Sequence, residues 1–355
     1  MPQELITNSK GELVSPQEYL TERERYIANH LQSRYNKEVR NAVGYDINIT
    51  TLTAISKRVV EQKFFTIDVS EYLPVLVGNG AWSDQIVTYL SYELSGDFET
   101  GNINTGASNS RLAESDAGVE PVYNPIKNWA KGATWSFFDM QLAAKSGNWD
   151  VVVSKEKSRK RNWDLGIQKI AFLGSASDSK VLGLLTQPNV NSNTALITQY
   201  ISTMNATQFN ALVAGIIGAY RLNSAYTVMP THFIMPEQDY NGLGALVPGS
   251  AGTFPVPMLD YLLSIFKLIT GNPNFKILKC AYADEAQNTG VTGLGKNRYT
   301  LLNYDEDSLR MDIPVPYANT LQNTINGFQF QNAGYGQYTG ALAYRPLEML
   351  YFDFT

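Results

Sequence analysis

The stretch Asp84-Gln85-Ile86-Val87-Thr88-Tyr89-Leu90-Ser91-Tyr92-Glu93-Leu94-Ser95-Gly96-Asp97-Phe98-Glu99-Thr100-Gly101-Asn102-Ile103-Asn104-Thr105-Gly106-Ala107-Ser108-Asn109-Ser110 decides how the chain is organised. Asp84 to Phe98 reads as a strand, with Ile86, Tyr89 and Leu94 set among polar residues. From Gly96 to Ser110 the chain is too polar to fold onto a core. Val119 to Trp135 then returns as a second extended segment, held out of helix at first by Pro121 and Pro125. The pattern predicts a long hairpin projecting from a folded body. A structureless loop of this length inside a compact domain is uncommon and points to interaction.

Before the hairpin, Ser15-Pro16-Gln17-Glu18 is a capping box with proline at the first helical position, so a helix is expected to start there. Leu20, Ile27, Leu31 and Tyr35 form a stripe wide enough to dock on one surface but too narrow for a core, so this segment reads as an arm. A second helix is expected over Thr51 to Phe64, before Gly78-Asn79-Gly80 breaks the pattern. After the hairpin, Asp150 to Leu173 is the best long-helix candidate, with Trp163, Ile167, Ile170 and Ala171 on one face. Its first half is basic, carrying Lys155, Lys157, Arg159, Lys160 and Arg161.

Beyond Gly174 helices alternate with strands. Helices are expected over Thr207 to Tyr220 and Met258 to Leu268, and strands over Thr231 to Met235, Ile277 to Tyr282, Arg298 to Asn303, Leu309 to Val315 and the closing Gly340 to Thr355. Leu321 to Gly340, rich in Gln, Asn and Gly, approaches low complexity. All five tryptophans, Trp82, Trp129, Trp135, Trp149 and Trp163, lie around the hairpin and the helix after it. Such enrichment fits an interface or an aromatic core beneath the hairpin.

With 355 residues, 44% of them apolar, the chain can bury more than one core. Charged residues make up only 17%, a weakly self-repelling surface suited to packing against copies of itself. A net charge of -5 argues against a dedicated nucleic-acid binder. The single Cys280 excludes an internal disulfide framework and a cysteine-cluster metal site, and its strand-like neighbours predict a buried, inert thiol. No basic and apolar leader opens the sequence, and no apolar run is long enough to span a membrane, so a cytoplasmic product without an anchor is expected.

Catalytic motifs fail on inspection, and the chain is read as not an enzyme. Gly290-Val291-Thr292-Gly293-Leu294-Gly295-Lys296-Asn297 imitates a phosphate-binding loop but ends in Asn where a magnesium-binding hydroxyl belongs; it reads as a turn between strands. A nucleotide-processing enzyme resting on this loop is the remote alternative. Gly174-Ser175-Ala176-Ser177-Asp178 lacks the closing glycine of a nucleophile elbow. His30 sits in the arm, and His232 reads as structural at a strand start. Asp305-Glu306-Asp307 lacks calcium-loop spacing. No catalytic, cofactor-binding or metal residues are assigned.

Three short motifs carry a family resemblance by their order. Lys127-Asn128-Trp129-Ala130-Lys131-Gly132-Ala133-Thr134-Trp135-Ser136 resembles the return strand of the extended loop in Hong Kong 97-type major capsid proteins. Leu165-Gly166-Ile167-Gln168-Lys169-Ile170-Ala171-Phe172-Leu173-Gly174, followed by Leu182-Gly183-Leu184-Leu185-Thr186-Gln187-Pro188, resembles the end of their spine helix and the turn after it. Gly340-Ala341-Leu342-Ala343-Tyr344-Arg345-Pro346 resembles their closing strand. The resemblance implies an α+β capsid fold. Residues 1–50 would be an N-terminal arm, 51–83 the lead into the peripheral (P) domain, 84–134 the extended E-loop hairpin, 135–206 the P domain with its spine helix, 207–338 an α/β axial (A) domain, and 339–355 the closing strand.

It further implies the icosahedral shell of a tailed phage, with an encapsulin-like compartment as the alternative. Partners would be the chain itself in hexamers and pentamers, portal, a separate scaffolding protein and decoration proteins, and packaged DNA bound non-specifically; no cofactor and no membrane are implied. The virion would be its destination, after assembly in host cytoplasm. In this family the E-loop lies over a neighbour's P domain. Asp84, Glu93, Asp97, Glu99, Glu114, Asp116 and Glu120 stand against Arg111 alone between positions 84 and 120, so these acids and Trp129 are the candidate E-loop interface. Lys155, Lys157, Arg159, Lys160 and Arg161 would face either that acidic hairpin, the genome, or only solvent. No lysine lies between Phe64 and Ile126, which disfavours covalent cross-linking from the hairpin.

Overall fold

The computed structural model describes residues 6–7, 13–15, 24, 65–94, 116–145, 150–247, 256–292 and 294–354. The arm helix, the Thr51 to Phe64 helix, the Gly96 to Ser110 loop and Trp149 lie outside the described residues. Strands β1 (Ile6–Thr7) and β2 (Leu13–Val14) pair with each other. There follow β3 (Val75–Val77), β4 (Gln85–Leu94), β5 (Asp116–Pro125) and β6 (Lys127–Ser136), then helices α1 (Phe137–Lys145) and α2 (Val151–Leu173). Next come β7 (Ser192–Asn193), α3 (Ala206–Asn223), β8 (His232–Pro236), α4 (Glu237–Gly242), α5 (Met258–Thr270), β9 (Lys276–Cys280) and α6 (Glu285–Thr292). The chain ends with β10 (Asn297–Leu302), β11 (Leu309–Ile313), β12 (Val315–Asn319), β13 (Asn323–Thr324), β14 (Gln329–Tyr338), β15 (Ala341–Ala343) and β16 (Met349–Phe354).

Two compact units result. Among the described residues one holds Ala133–Lys157 and Gln322–Asn332, and the other Phe65–Gly132, Ser158–Leu321 and Ala333–Thr355. The larger unit is built on a five-stranded sheet in the order β7-β16-β10-β8-β9. Side chains alternate across a strand, and here both faces find a core. Phe233 and Met235 of β8, Tyr299 and Leu301 of β10, and Leu350 and Phe352 of β16 pack with Phe209, Leu212, Ile216 and Tyr220 of α3 and Leu262 and Phe266 of α5. Ile234, Leu302, Met349 and Tyr351 enter the opposite core with Trp163, Ile167, Ala171 and Phe172 of α2. Double-sided burial explains why these strands read as continuous apolar runs. Asn205 caps α3 with Gln208 in a reciprocal box, and Gly271 at φ 67° ends α5.

The smaller unit has its own modest core. Trp135, Ala143 and Val151 are buried there, with Met140, Val152 and Phe330 packed against them.

Residues that sequence reading treated separately converge at the end of α2. Gly174 closes the helix at φ 72°, and a Cβ on Gly183 would stand 2.3 Å from the Gly174 nitrogen. A Cβ on Gly340 would meet the Leu182 backbone at 2.6 Å. Only glycine permits backbones to approach this closely. Gln187 fastens the crossing: its Nε2 donates to the Gly183 and Ala341 carbonyls at 2.7 and 2.8 Å, and its Oε1 accepts from Ala343 N at 3.2 Å. The Tyr351 hydroxyl donates to the Leu184 carbonyl at 2.6 Å. Arg298 lies over the Tyr351 ring and makes a two-point pair with buried Asp353 at 2.7 and 2.6 Å.

Several expectations are corrected. The Gly290 to Asn297 segment is not simply a turn between strands, because α6 runs through Thr292 before β10 begins. The low-complexity segment forms β14; its Gly336 leaves room for Trp163, whose ring carbon would be 2.5 Å from a Cβ there. The closing segment is two strands in different sheets: β15 pairs with β11, whereas β16 pairs with β10 and β7. Cys280 is buried as expected, and burial pushes its thiol up to about 12.

Gln187→Ala would leave two carbonyls and one N–H of the crossing without their side-chain partner. The Gly183 carbonyl still accepts from Thr186 N, so with the other two groups at about 1–3 kcal/mol each, urea denaturation is expected to show a loss of roughly 2–6 kcal/mol. An unchanged midpoint would mean that the crossing is held by its backbone alone.

Candidate subunit interface

The ten residues of β4 pair one-to-one with the ten of β5, from Gln85 opposite Pro125 to Leu94 opposite Asp116. At about 3.3 Å per residue the ribbon is ~30 Å long. Residues directly opposed across antiparallel strands share a face. Val87, Tyr89 and Ser91 therefore lie with Tyr123, Pro121 and Val119 on one side; Ile86, Thr88 and Leu90 lie with Asn124, Val122 and Glu120 on the other. The second face turns toward the body near its root, where Ile86 and Asn124 are buried. The first face is open: Val87 is 37% exposed, Tyr89 69%, Val119 63% and Tyr123 57%. A contiguous apolar and aromatic stripe of this kind marks a surface awaiting a partner.

The acidic candidates divide. Asp84 is exposed at the root and Glu120 is exposed on the ribbon, while Glu93 and Asp116 belong to its last two residue pairs. Asp97, Glu99 and Glu114 lie outside the described residues. Trp129 is half-buried within its own chain, 5.2 Å from Trp163 and 6.1 Å from Tyr317 by ring centroids. Trp135 and Trp163 are buried too, so these three tryptophans serve cores. Trp82 differs: it is 72% exposed and holds a left-handed φ of 66°. A non-glycine residue rarely adopts that conformation. Its nitrogen donates to Gln337 Oε1 at 2.8 Å, which fixes the turn beside the ribbon root.

The basic segment of α2 is not one surface. Lys157 and Lys160 are exposed, and Lys155 and Arg161 half-buried. Lys155 Nζ reaches the Thr134 carbonyl at 2.5 Å. Arg159 is the correction: it is 3% exposed, with Nε donating to the Tyr317 hydroxyl and Nη2 to Asn319 Oδ1, both at 3.0 Å. Its charge is committed inside its own chain, because the helical turn that aims Trp163 inward aims Arg159 inward as well.

A further apolar surface escaped sequence reading. In the smaller unit Phe138 stacks on Phe328 with centroids 6.2 Å apart, and Phe137 N donates to the Phe328 carbonyl at 2.8 Å. Both Phe138 and Phe328 are more than half exposed. The adjacent Phe137-Phe138 pair was a visible signal, but its partner sits in the Gln/Asn/Gly-rich segment.

Of the two histidines weighed for catalysis, His30 lies outside the described residues and His232 is built into the fold. His232 opens β8, its Nδ1 lies 2.9 Å from the Thr231 hydroxyl, and its ring is tilted against Tyr304. Burial, with Lys276 nearby, pushes the imidazole down to about 4. Among the described residues no cluster of His, Cys, Asp and Glu could hold a metal ion, and no helix is long and apolar enough to cross a membrane.

A projecting two-stranded ribbon, a long helix leading from it, and a sheet covered on both faces constitute the Hong Kong 97-type capsid architecture. Solved structures share it. The capsid of Myoviridae Phage XM1 superposes with a TM-score of 0.69 at 15% identity, covering 86% of this chain and 97% of that one. A structure from Microbacterium phage Oxtober96 gives 0.54 at 9% identity, covering 88% and 99%, and one from Mycobacterium phage Ogopogo gives 0.52 at 10%, covering 85% and 96%. A family model described as major capsid protein matches residues 101–354, and the chain belongs to that family. No curated protein matches the sequence.

The environments of Arg159 and Lys160 predict opposite outcomes for neighbouring substitutions. Arg159→Ala removes a buried side chain and its two charge-assisted hydrogen bonds, to the half-buried Tyr317 hydroxyl and the exposed Asn319 amide, and is expected to cost about 2–4 kcal/mol in chemical denaturation. Lys160→Ala should stay within about 0.5 kcal/mol of the parent.

Proposed function

We propose that copies of this chain assemble, as hexamers and pentamers, into the icosahedral shell around the double-stranded DNA genome of a tailed phage, and that the ribbon's open face is the joint between neighbours. The observation that carries this reading is the stripe Val87, Tyr89, Val119, Pro121 and Tyr123, which is exposed and has no cover among the described residues. Each aromatic side chain can remove on the order of 150–250 Å² from water when a partner covers it. Repeated at every joint of a closed shell, such contacts add up without any one of them being strong.

In this reading residues 1–50 are the arm, 51–83 lead into the P domain, 84–134 are the E-loop, 135–206 the P domain, 207–338 the A domain and 339–355 the closing segment. The acids of the hairpin meet Lys157 and Lys160 of a neighbour, giving register and orientation more than affinity. Portal, a separate scaffolding protein, decoration proteins and non-specifically held DNA are the further partners. Assembly takes place in the host cytoplasm and the product is the virion shell. The chain acts structurally, without an enzymatic step.

Tyr89→Asp with Tyr123→Asp tests the joint, since both side chains are exposed and their replacement should leave the fold intact. Electron microscopy of the purified double variant is expected to show no closed shells while circular dichroism and melting match the parent. Shells of normal yield would overturn the proposal. Lys157→Glu with Lys160→Glu tests the electrostatic half: empty-shell assembly should fail. Empty shells that form normally but retain no DNA would instead assign the two lysines to the genome.

A further inference from the structure

Among the described residues the ribbon has no backbone ladder to the body, and β4 and β5 pair with each other. Apart from the packing of Ile86 at its root, its inner face is tied down by few polar contacts. Asn124 Nδ2 donates to the Gly340 carbonyl at 3.4 Å. The Thr88 hydroxyl donates to the Tyr344 hydroxyl at 3.3 Å and accepts from Arg310 Nη2 at 3.0 Å. Among the described residues Arg310 is the charged side chain of the body that holds the ribbon. The same Nη2 donates to the Tyr344 hydroxyl at 3.1 Å, and the guanidinium lies 5.0 Å from the centre of that ring.

Arg310 is held in turn by one charge. Its Nε donates to Asp312 Oδ2 at 3.3 Å, and the Asp312 side chain is fully buried. The backbone of Asp312 is clamped: its N donates to the Thr339 hydroxyl at 3.0 Å, and its carbonyl accepts from Thr339 N at 2.9 Å. Its second oxygen, Oδ1, is buried without a well-formed hydrogen bond, although Asn79 lies beside the carboxyl. A buried carboxylate with one distant ion-pair contact and one unsatisfied oxygen holds its charge weakly.

We propose that the Arg310–Asp312 pair is a proton-sensitive latch that sets the angle of the hairpin on the body. Protonation of Asp312 cancels the one charge that, among the described residues, fixes Arg310. The guanidinium then has just two hydroxyls and a ring, turns toward water, and Thr88 loses its donor.

The surroundings assign the acid response to this carboxyl. Facing it are Arg310 on β11, Asn79 after β3, Thr339 after β14 and, through Arg310, Thr88 on the ribbon and Tyr344 after β15. None of the others changes charge in mild acid. Burial raises the Asp312 carboxyl above its ordinary range, and the opposing pull of Arg310 and Asn79 does not restore it. The latch is therefore closed at neutral pH and opens on acidification, earlier than an exposed aspartate would titrate. Its relevance to shells rests on the ribbon being the joint between copies, but the latch itself belongs to the single chain.

Spin labels on exposed sites, Ser91→Cys on the ribbon and Leu347→Cys on the body, read the angle by pulsed electron resonance in the unassembled full-length protein; buried Cys280 stays unlabelled. At neutral pH one narrow distance distribution is expected, widening about twofold on acidification, before exposed aspartates titrate. Asp312→Asn should be wide at both pH values. Thr88→Val cuts the ribbon's end of the latch without touching the buried carboxyl and should also be wide at neutral pH. A distribution that stays narrow in acid, or in Thr88→Val, overturns the latch. Loss of the joint between copies, by contrast, would show only in shell assembly and leave these distances unchanged.

Discussion

The structure hangs on the contact between two glycine backbones, Gly174 at the end of α2 and Gly183 in the turn that follows. A side chain at Gly183 would overlap the main chain it touches. Because the approach is so close, Gln187 can span from that turn to β15, and Tyr351 can reach the Leu184 carbonyl from β16. The long helix, the closing strands and the double-sided sheet are positioned by this one crossing. Arg298 and Asp353 extend it to β10. As a buried pair they add little net stability by themselves, yet removal of either partner would strand a charge in the core at a cost of about 3–5 kcal/mol.

Much of this could be read from sequence where one periodicity dominated. The helix from Val151 to Leu173 and the strands β8, β10 and β11 follow apolar patterns that local physics enforces. The ribbon was legible because prolines and polar residues left no other conformation open to it. Its open face was not, since which side of a strand meets the body is a tertiary fact. The three capsid-like motifs were legible only as an order of parts; in the fold the second and third meet at the glycine crossing, where Gly340 lies against Leu182. Gly336 looked like low complexity because the reason for it, the ring of Trp163, lies far away in sequence.

Charge was the least legible quantity. Five basic residues in a row of seven positions suggested one surface, but a helix distributes them around its axis. Arg159 went inward to Tyr317 and Asn319, and Lys157 and Lys160 remained outward. An interface drawn from a charge run must therefore first be divided by helical phase.

The five-stranded sheet has two ends, and both are poor templates. At one end β7 contributes only two residues. At the other, β9 carries exposed Lys276 and Lys279, the latter paired with Glu237 at 2.9 Å. Short edges and edge lysines resist strand-to-strand adhesion. A coat subunit accumulates in many identical copies before they are ordered, a condition that favours amyloid-like stacking. Its sheet margins are finished so that crowding leaves the copies dispersed until the intended faces meet.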